Sequence, residues 1–179
     1  NKRKNESFGQ TILIAPAYSL NYRKYNISKI LIKLINFLIF NQKKIIIYRP
    51  HPLDLTNKGN IDMVEKIMDK FKNSKNFRID KNVSYLKSYK ESDFLLTDIT
   101  SIAYTYAFSS EKPVIFYSPK EKLIKKDHFL NIHYINDRSS IGIICKNFDE
   151  IKNALNKFIK KRTFYRKKVI SMRKKRIKF

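Results

Sequence analysis

A chain of 179 residues and 21.4 kDa accommodates one domain of ordinary size and leaves no room for two full ones. Apolar residues at 42% and aromatic residues at 13% supply a core, which excludes wholesale disorder. Thirty-nine Lys and Arg against fifteen Asp and Glu give a formal charge of +24, which calls for anionic partners: nucleic acid, phospholipid headgroups or phosphorylated substrates.

The chain starts on Asn rather than Met, and residues 1–10 read as a polar lead-in, so a piece of a longer protein is expected. Residues 11–15 (TILIA) form a first strand, closed by Pro16. A first helix follows over 28–41. The apolar run 27–40 contains Lys29 and Lys33 and falls short of the roughly 20 apolar residues a bilayer span requires. A cytoplasmic protein is expected, at most peripheral on the inner face of the membrane. Residues 44–48 (KIIIY) form a continuous apolar strand, as in a parallel sheet covered on both faces. It stops at Arg49-Pro50-His51-Pro52, where two prolines forbid continuation.

Helix 61–72 places Ile61, Val64, Ile67, Met68 and Phe71 on one face. A short strand (77–79), a short helix (83–89) and the strand 93–97 (DFLLT) come next. Helix 100–109, strand 113–117 (PVIFY), a last strand 141–145 and helix 148–160 complete the alternation. About six strands interleaved with helices define one doubly wound, Rossmann-like α/β domain with a parallel sheet over 11–160. Residues 160–179 carry eleven basic and no acidic residues. Residues 161–179 read as a basic C-terminal helix with a weak stripe of Phe164, Val169, Met172 and Ile177.

Cys145 is the single cysteine, so no internal disulfide can form. Gly9, Gly59 and Gly142 are the only glycines, too far apart for a GxGxxG or Walker-type loop. Any phosphate must therefore be held in another way. In doubly wound sheets ligands bind beyond the carboxyl ends of the strands, near the reversal of strand order. Two such ends carry polar groups here. Arg49 offers a planar fork of donors, and His51 can give a hydrogen bond or a proton from a loop that two prolines stiffen. The plainer alternative is a rigid turn with an exposed Arg and a capping His. Thr97-Asp98-Ile99-Thr100-Ser101 joins a strand to a helix, whose unpaired N–H groups and positive dipole end suit a phosphate. The plainer alternative there is ordinary capping by Asp98 or Thr100. His128 and His133 admit a metal site, a surface loop or a cytidine-side pocket. No DxD or His/carboxylate cluster is visible, so neither an obligatory metal nor another cofactor is expected.

The segment FLLTDITSIAYTYAFSSEKPVIFY (94–117) resembles the signature of CDP-glycerol glycerophosphotransferases, the teichoic-acid and capsule polymer enzymes, which read LITDYSS, DYA and KPVIFY. IIIYRPHP (45–52) resembles their R-x-H-P-like turn, and ILIAPAY (12–18) their opening "ILYAPTW" strand. The resemblance implies the nucleotide-binding half of a GT-B enzyme, two Rossmann-like halves around a cleft. By that likeness Arg49 and His51 are catalytic and face the donor's phosphates or glycerol phosphate, and Thr97, Asp98, Thr100 and Ser101 line the pyrophosphate and nucleotide site. Ile99 replaces the usual Tyr, Thr100 the first Ser, and Thr105 the Asp of DYA, so no carboxylate acts at that last position. The histidine of an HG-type motif in the other half has no counterpart, so the piece alone is expected to be inactive.

The implied reaction moves a phosphoglycerol unit: an acceptor hydroxyl attacks the distal phosphorus of CDP-glycerol and CMP leaves. The expected partners are a CDP-linked donor and a lipid- or polysaccharide-linked acceptor. The basic tail reads either as a solvated helix or as an adhesive for an anionic membrane. A nucleotide-sugar glycosyltransferase of the same architecture is the nearest rival. A nucleic-acid-binding module is the other, but it lacks an RNP-like motif, a zinc pattern and a helix-turn-helix, so no specific nucleic acid is expected.

Overall fold

The computed structural model describes residues 9–20, 24–127 and 133–177; most of the polar lead-in, residues 1–8, lies outside them. Six strands pair in parallel: β1 (Thr11–Ile14), β2 (Ile45–Tyr48), β3 (Phe77–Ile79), β4 (Phe94–Thr97), β5 (Val114–Tyr117) and β6 (Gly142–Cys145). Their order is β3-β2-β1-β4-β5-β6, the doubly wound order, with its reversal between β1 and β4.

Alternation along the strands sets the layers, because successive side chains leave a strand on opposite faces. Ile12, Ile14, Phe94 and Leu96 join a core with helices α1 (Leu31–Asn36), α3 (Lys58–Phe71) and α9 (Phe148–Lys160). Leu13, Leu95, Val114 and Phe116 face the other way. They meet α4 (Leu86–Glu91), α5 (Ile102–Ser110), α8 (Arg138–Ile141) and α10 (Arg162–Arg176). With both faces covered, Ile12, Leu13 and Ile14 are wholly buried, which explains the unbroken apolar runs.

Several boundaries differ from the sequence reading. The first helical stretch opens with a 3-10 turn (Ser28–Ile30) and closes with a π turn (Phe37–Asn41), which sets Leu38 and Ile39 in the core and leaves Phe40 exposed. The prolines that end β2 also start a short helix, α2 (Pro52–Thr56), since proline suits a first helical turn. The expected helix 83–89 begins only at Leu86, because Val83 is fully exposed and has no core to hold it. Between β5 and β6 the chain forms α6 (Glu121–Lys126), α7 (His133–Asn136) and α8, too short for a hydrophobic period to reveal. Helix α9 has the expected bounds. Asn147 accepts from the Glu150 N–H at 2.9 Å, and Glu150 reaches back to the Lys146 N–H at 2.8 Å, a reciprocal cap.

Candidate functional site

A cleft of about 400 Å³ opens beyond the carboxyl ends of β1, β2 and β4, at the reversal of strand order. The β2 end supplies Arg49 and His51, the β4 end Thr100 and Ser101, and the first turn and a half of α5 Ile102 and Thr105. Ala15 and Pro16 come from the end of β1, while Val83, Tyr85 and Tyr89 close the side next to β3. None of the described residues lining it is acidic, so the cleft suits an anion.

Arg49 is held in place from behind. Its Nη1 donates to Asp80 Oδ2 at 2.7 Å and its Nη2 to the Val83 carbonyl at 3.2 Å. A guanidinium has five N–H bonds, so three remain for a ligand. Asp80 is buried at the end of β3. Burial opposes its ionisation, but donors from Ser88, the Asn82 N–H, Arg49 and the Asn82 amide hold its carboxyl down at about 2.

His51 is the N-cap of α2, where its Nδ1 accepts from the Leu53 N–H at 3.2 Å. Burial lowers its pKa against a counter-pull from Asp54, so the ring is neutral at pH 7. With Nδ1 accepting, the proton sits on Nε2, which makes Nε2–H the donor left for a ligand. The Tyr18 ring lies 5.4 Å from the imidazole. The anion-binding and capping readings of this loop are thus compatible, because they use different atoms.

Ser101 stands at the N-cap of α5 with no side-chain cap bond, and Thr100 Oγ1 is only 3.5 Å from the Ile102 N–H. The Tyr104 N–H donates to the Ser101 carbonyl at 3.0 Å, so the Ala103 N–H and the exposed Ser101 hydroxyl are what this nine-residue helix leaves to an anion.

Thr97 and Asp98 do not line this cleft; they lie beneath it, and both are fully buried. Thr97 Oγ1 donates to the Ala15 carbonyl at 2.5 Å. Asp98 accepts from the Ala17 and Ile27 N–H groups, each at 3.0 Å, and so pins the segment after β1. Burial pushes its carboxyl up to about 6 despite these bonds. Ile99 fills a small apolar cluster with Tyr25, Ile124 and Ile135, which accounts for an aliphatic residue there.

Two further carboxylates escaped the sequence reading. Asp80 is one; Asp54, buried in α2, is the other, and accepts from the Ser19 hydroxyl at 2.6 Å. Neither belongs to a local motif, because each acts on a residue more than thirty positions away. Lys112, in the KPVIFY segment, donates to the carbonyls of Tyr89 (2.9 Å), Lys90 (3.0 Å) and Ser92 (2.5 Å), capping the end of α4. His128 lies outside the described residues, and among those described no group of three His, Cys, Asp or Glu comes together as a metal site.

A six-stranded parallel sheet with an acid-free cleft at its reversal point defines a Rossmann-like α/β domain. The chain belongs to the CDP-glycerol:poly(glycerophosphate) glycerophosphotransferase family, which it matches over residues 3–179. It is 28% identical over 141 residues to the minor teichoic acid biosynthesis protein GgaB of Bacillus subtilis (strain 168), covering 76% of this chain and 14% of that protein. Its fold is similar to that of the wall teichoic acid polymerase TagF, with a TM-score of 0.62, 21% identity and coverage of 92% of this chain and 38% of TagF. It is also similar to S. aureus MnaA in a UDP co-structure, with a TM-score of 0.54, 17% identity and coverage of 92% and 40%. The chain therefore spans well under half the length of each of these relatives.

Proposed function

We propose that this chain binds the CDP-linked donor of a glycerophosphotransferase that builds a cell-envelope polymer. The observation that carries the reading is the convergence of Arg49, His51 and Ser101 on one acid-free cleft in a member of this family. The free edge of the Arg49 guanidinium, the Ala103 N–H of α5 and the Ser101 hydroxyl take the pyrophosphate oxygens. The Nε2–H of His51 donates to the phosphoryl group that is transferred. An acceptor hydroxyl attacks the distal phosphorus and CMP leaves, so negative charge gathers where these fixed donors point. The acceptor is a lipid- or polysaccharide-linked polymer, and the enzyme works against the inner face of an anionic membrane. No described helix is long and apolar enough to cross a membrane.

Calorimetry with CDP-glycerol, CDP and a UDP-sugar tests the donor. CDP-glycerol should bind best. Arg49→Lys keeps a cation beside Asp80 but removes the fork, and Ser101→Ala removes one donor; each should weaken binding about tenfold, roughly 1.4 kcal/mol. Melting temperatures should stay within a few degrees of wild type. Preference for the UDP-sugar would turn the reading toward a glycosyltransferase.

A further inference from the structure

The basic C-terminal segment is a docked helix whose arginines face the domain, together with Lys168, which donates to the Ser139 carbonyl at 2.7 Å. At 3.6 residues per turn, Arg162, Arg166, Arg173 and Arg176 fall on the side of α10 that carries the buried Val169 and Met172. Arg166 donates to Glu111 at 2.9 Å. Arg173 donates to Glu111 at 2.8 Å and to the Phe108 carbonyl at 2.8 Å, and Arg176 pairs with Asp137. Forked guanidinium groups suit such bonds across an interface.

Lys167, Lys174 and Lys175 fall on the opposite side, exposed, with no ion pair among the described residues. Residues 151–179 contain no Asp or Glu, so nothing in that stretch neutralises them. One large apolar side chain shares this face: Phe164, 58% exposed.

We propose that the outer face of α10 is a docking surface for an anionic phospholipid bilayer, on which the helix lies in the plane of the headgroups. Strongly hydrated ammonium groups on long stems meet phosphate headgroups without dehydrating, and Phe164 enters the acyl boundary. A polyanionic chain in solution would use the lysines but leave Phe164 in water. The other end of this contact reaches the cleft, since α5 lends its first turn to the cleft and its last carbonyls to α10. The surface deepens the reading above by naming what meets the acceptor's membrane. It rests on that reading for its purpose alone, because vesicle binding is measured without donor.

The test is sedimentation of the full chain with vesicles of phosphatidylcholine alone, and with about 30% phosphatidylglycerol added. Binding should require the anionic lipid. Replacing Lys167, Lys174 and Lys175 together by Gln should weaken it about 100-fold. The same loss of charge at Lys66, Lys70 and Lys75, on and beside α3 in the other layer, should change it less than threefold. Phe164→Ser should weaken vesicle binding several-fold while leaving retention on heparin unchanged. Equal binding to both vesicles, equal losses from the two lysine sets, or an unaffected Phe164→Ser variant would each overturn the proposal. CDP binding on the same samples reports separately on the donor site.

Discussion

Asp80 and Asp98 are both buried carboxylates at strand ends, yet their surroundings push them in opposite directions. Asp80, with several side-chain and backbone donors, is held at about 2; Asp98, in a drier place with backbone donors only, rises to about 6. For Asp80 the folded pKa lies below the unfolded one, so its contribution to stability is present above about pH 4 and is lost as pH falls through about 2. For Asp98 the folded pKa lies above the unfolded one, so its contribution is present below about pH 4 and is lost as pH rises through about 6. Urea midpoints measured from pH 2 to pH 8 should show both slopes. Asp80→Asn should abolish the acid-side fall. Asp98→Asn should abolish the fall between pH 4 and 6. It should also cost about 1–3 kcal/mol at pH 7, because its amide turns N–H bonds toward an N–H that Asp98 now accepts.

Among the elements, the β5–β6 pair depends on Gly142. Its backbone is extended, so the requirement is space and not conformation: a Cβ there would lie 1.9 Å from the Val114 carbonyl oxygen. Backbone cannot move aside as a flexible side chain can. Gly142→Ala should therefore force the two strands apart and cost about 3 kcal/mol or more, read as a lower urea midpoint or a failure to accumulate folded chain. The same strands are braced at their far ends. Arg138, 1% exposed, donates from Nη2 to both Glu121 oxygens at 3.0 and 2.9 Å, and Ser118 donates to Glu121 at 2.8 Å. These bonds tie α6 to α8 beside the connection that periodicity could not resolve.

For the whole molecule the governing quantity is the formal charge of +24. Among the described residues the ion pairs engage a minority of the cations, and self-repulsion opposes the compact state. Raising salt from about 0.05 to 0.5 M shortens the screening length severalfold and should raise the melting temperature by a few degrees. The same salt should weaken adhesion to any polyanion.

The class of fold and the strand ends that face the cleft are legible in the residues alone. Apolar runs of β-branched residues demand burial on both faces, and prolines or hydroxyl residues at their ends mark where strands must stop. The bounds of α9 were legible for the same reason, since its cap and its apolar period are local. Which polar residues reach the cleft depends on how the chain packs in three dimensions. Thr97 and Asp98 sit in the same short motif as Thr100 and Ser101, yet the turn after β4 buries the first pair under the β1 loop. Asp80 and Arg49 are thirty-one residues apart and meet because β3 and β2 are neighbours in the sheet. Helical period separates the arginines of α10 from three of its lysines, but the placement of Glu111 and Asp137 decides which set faces inward. Local pattern fixes what a segment becomes; partners distant along the chain fix which way it faces.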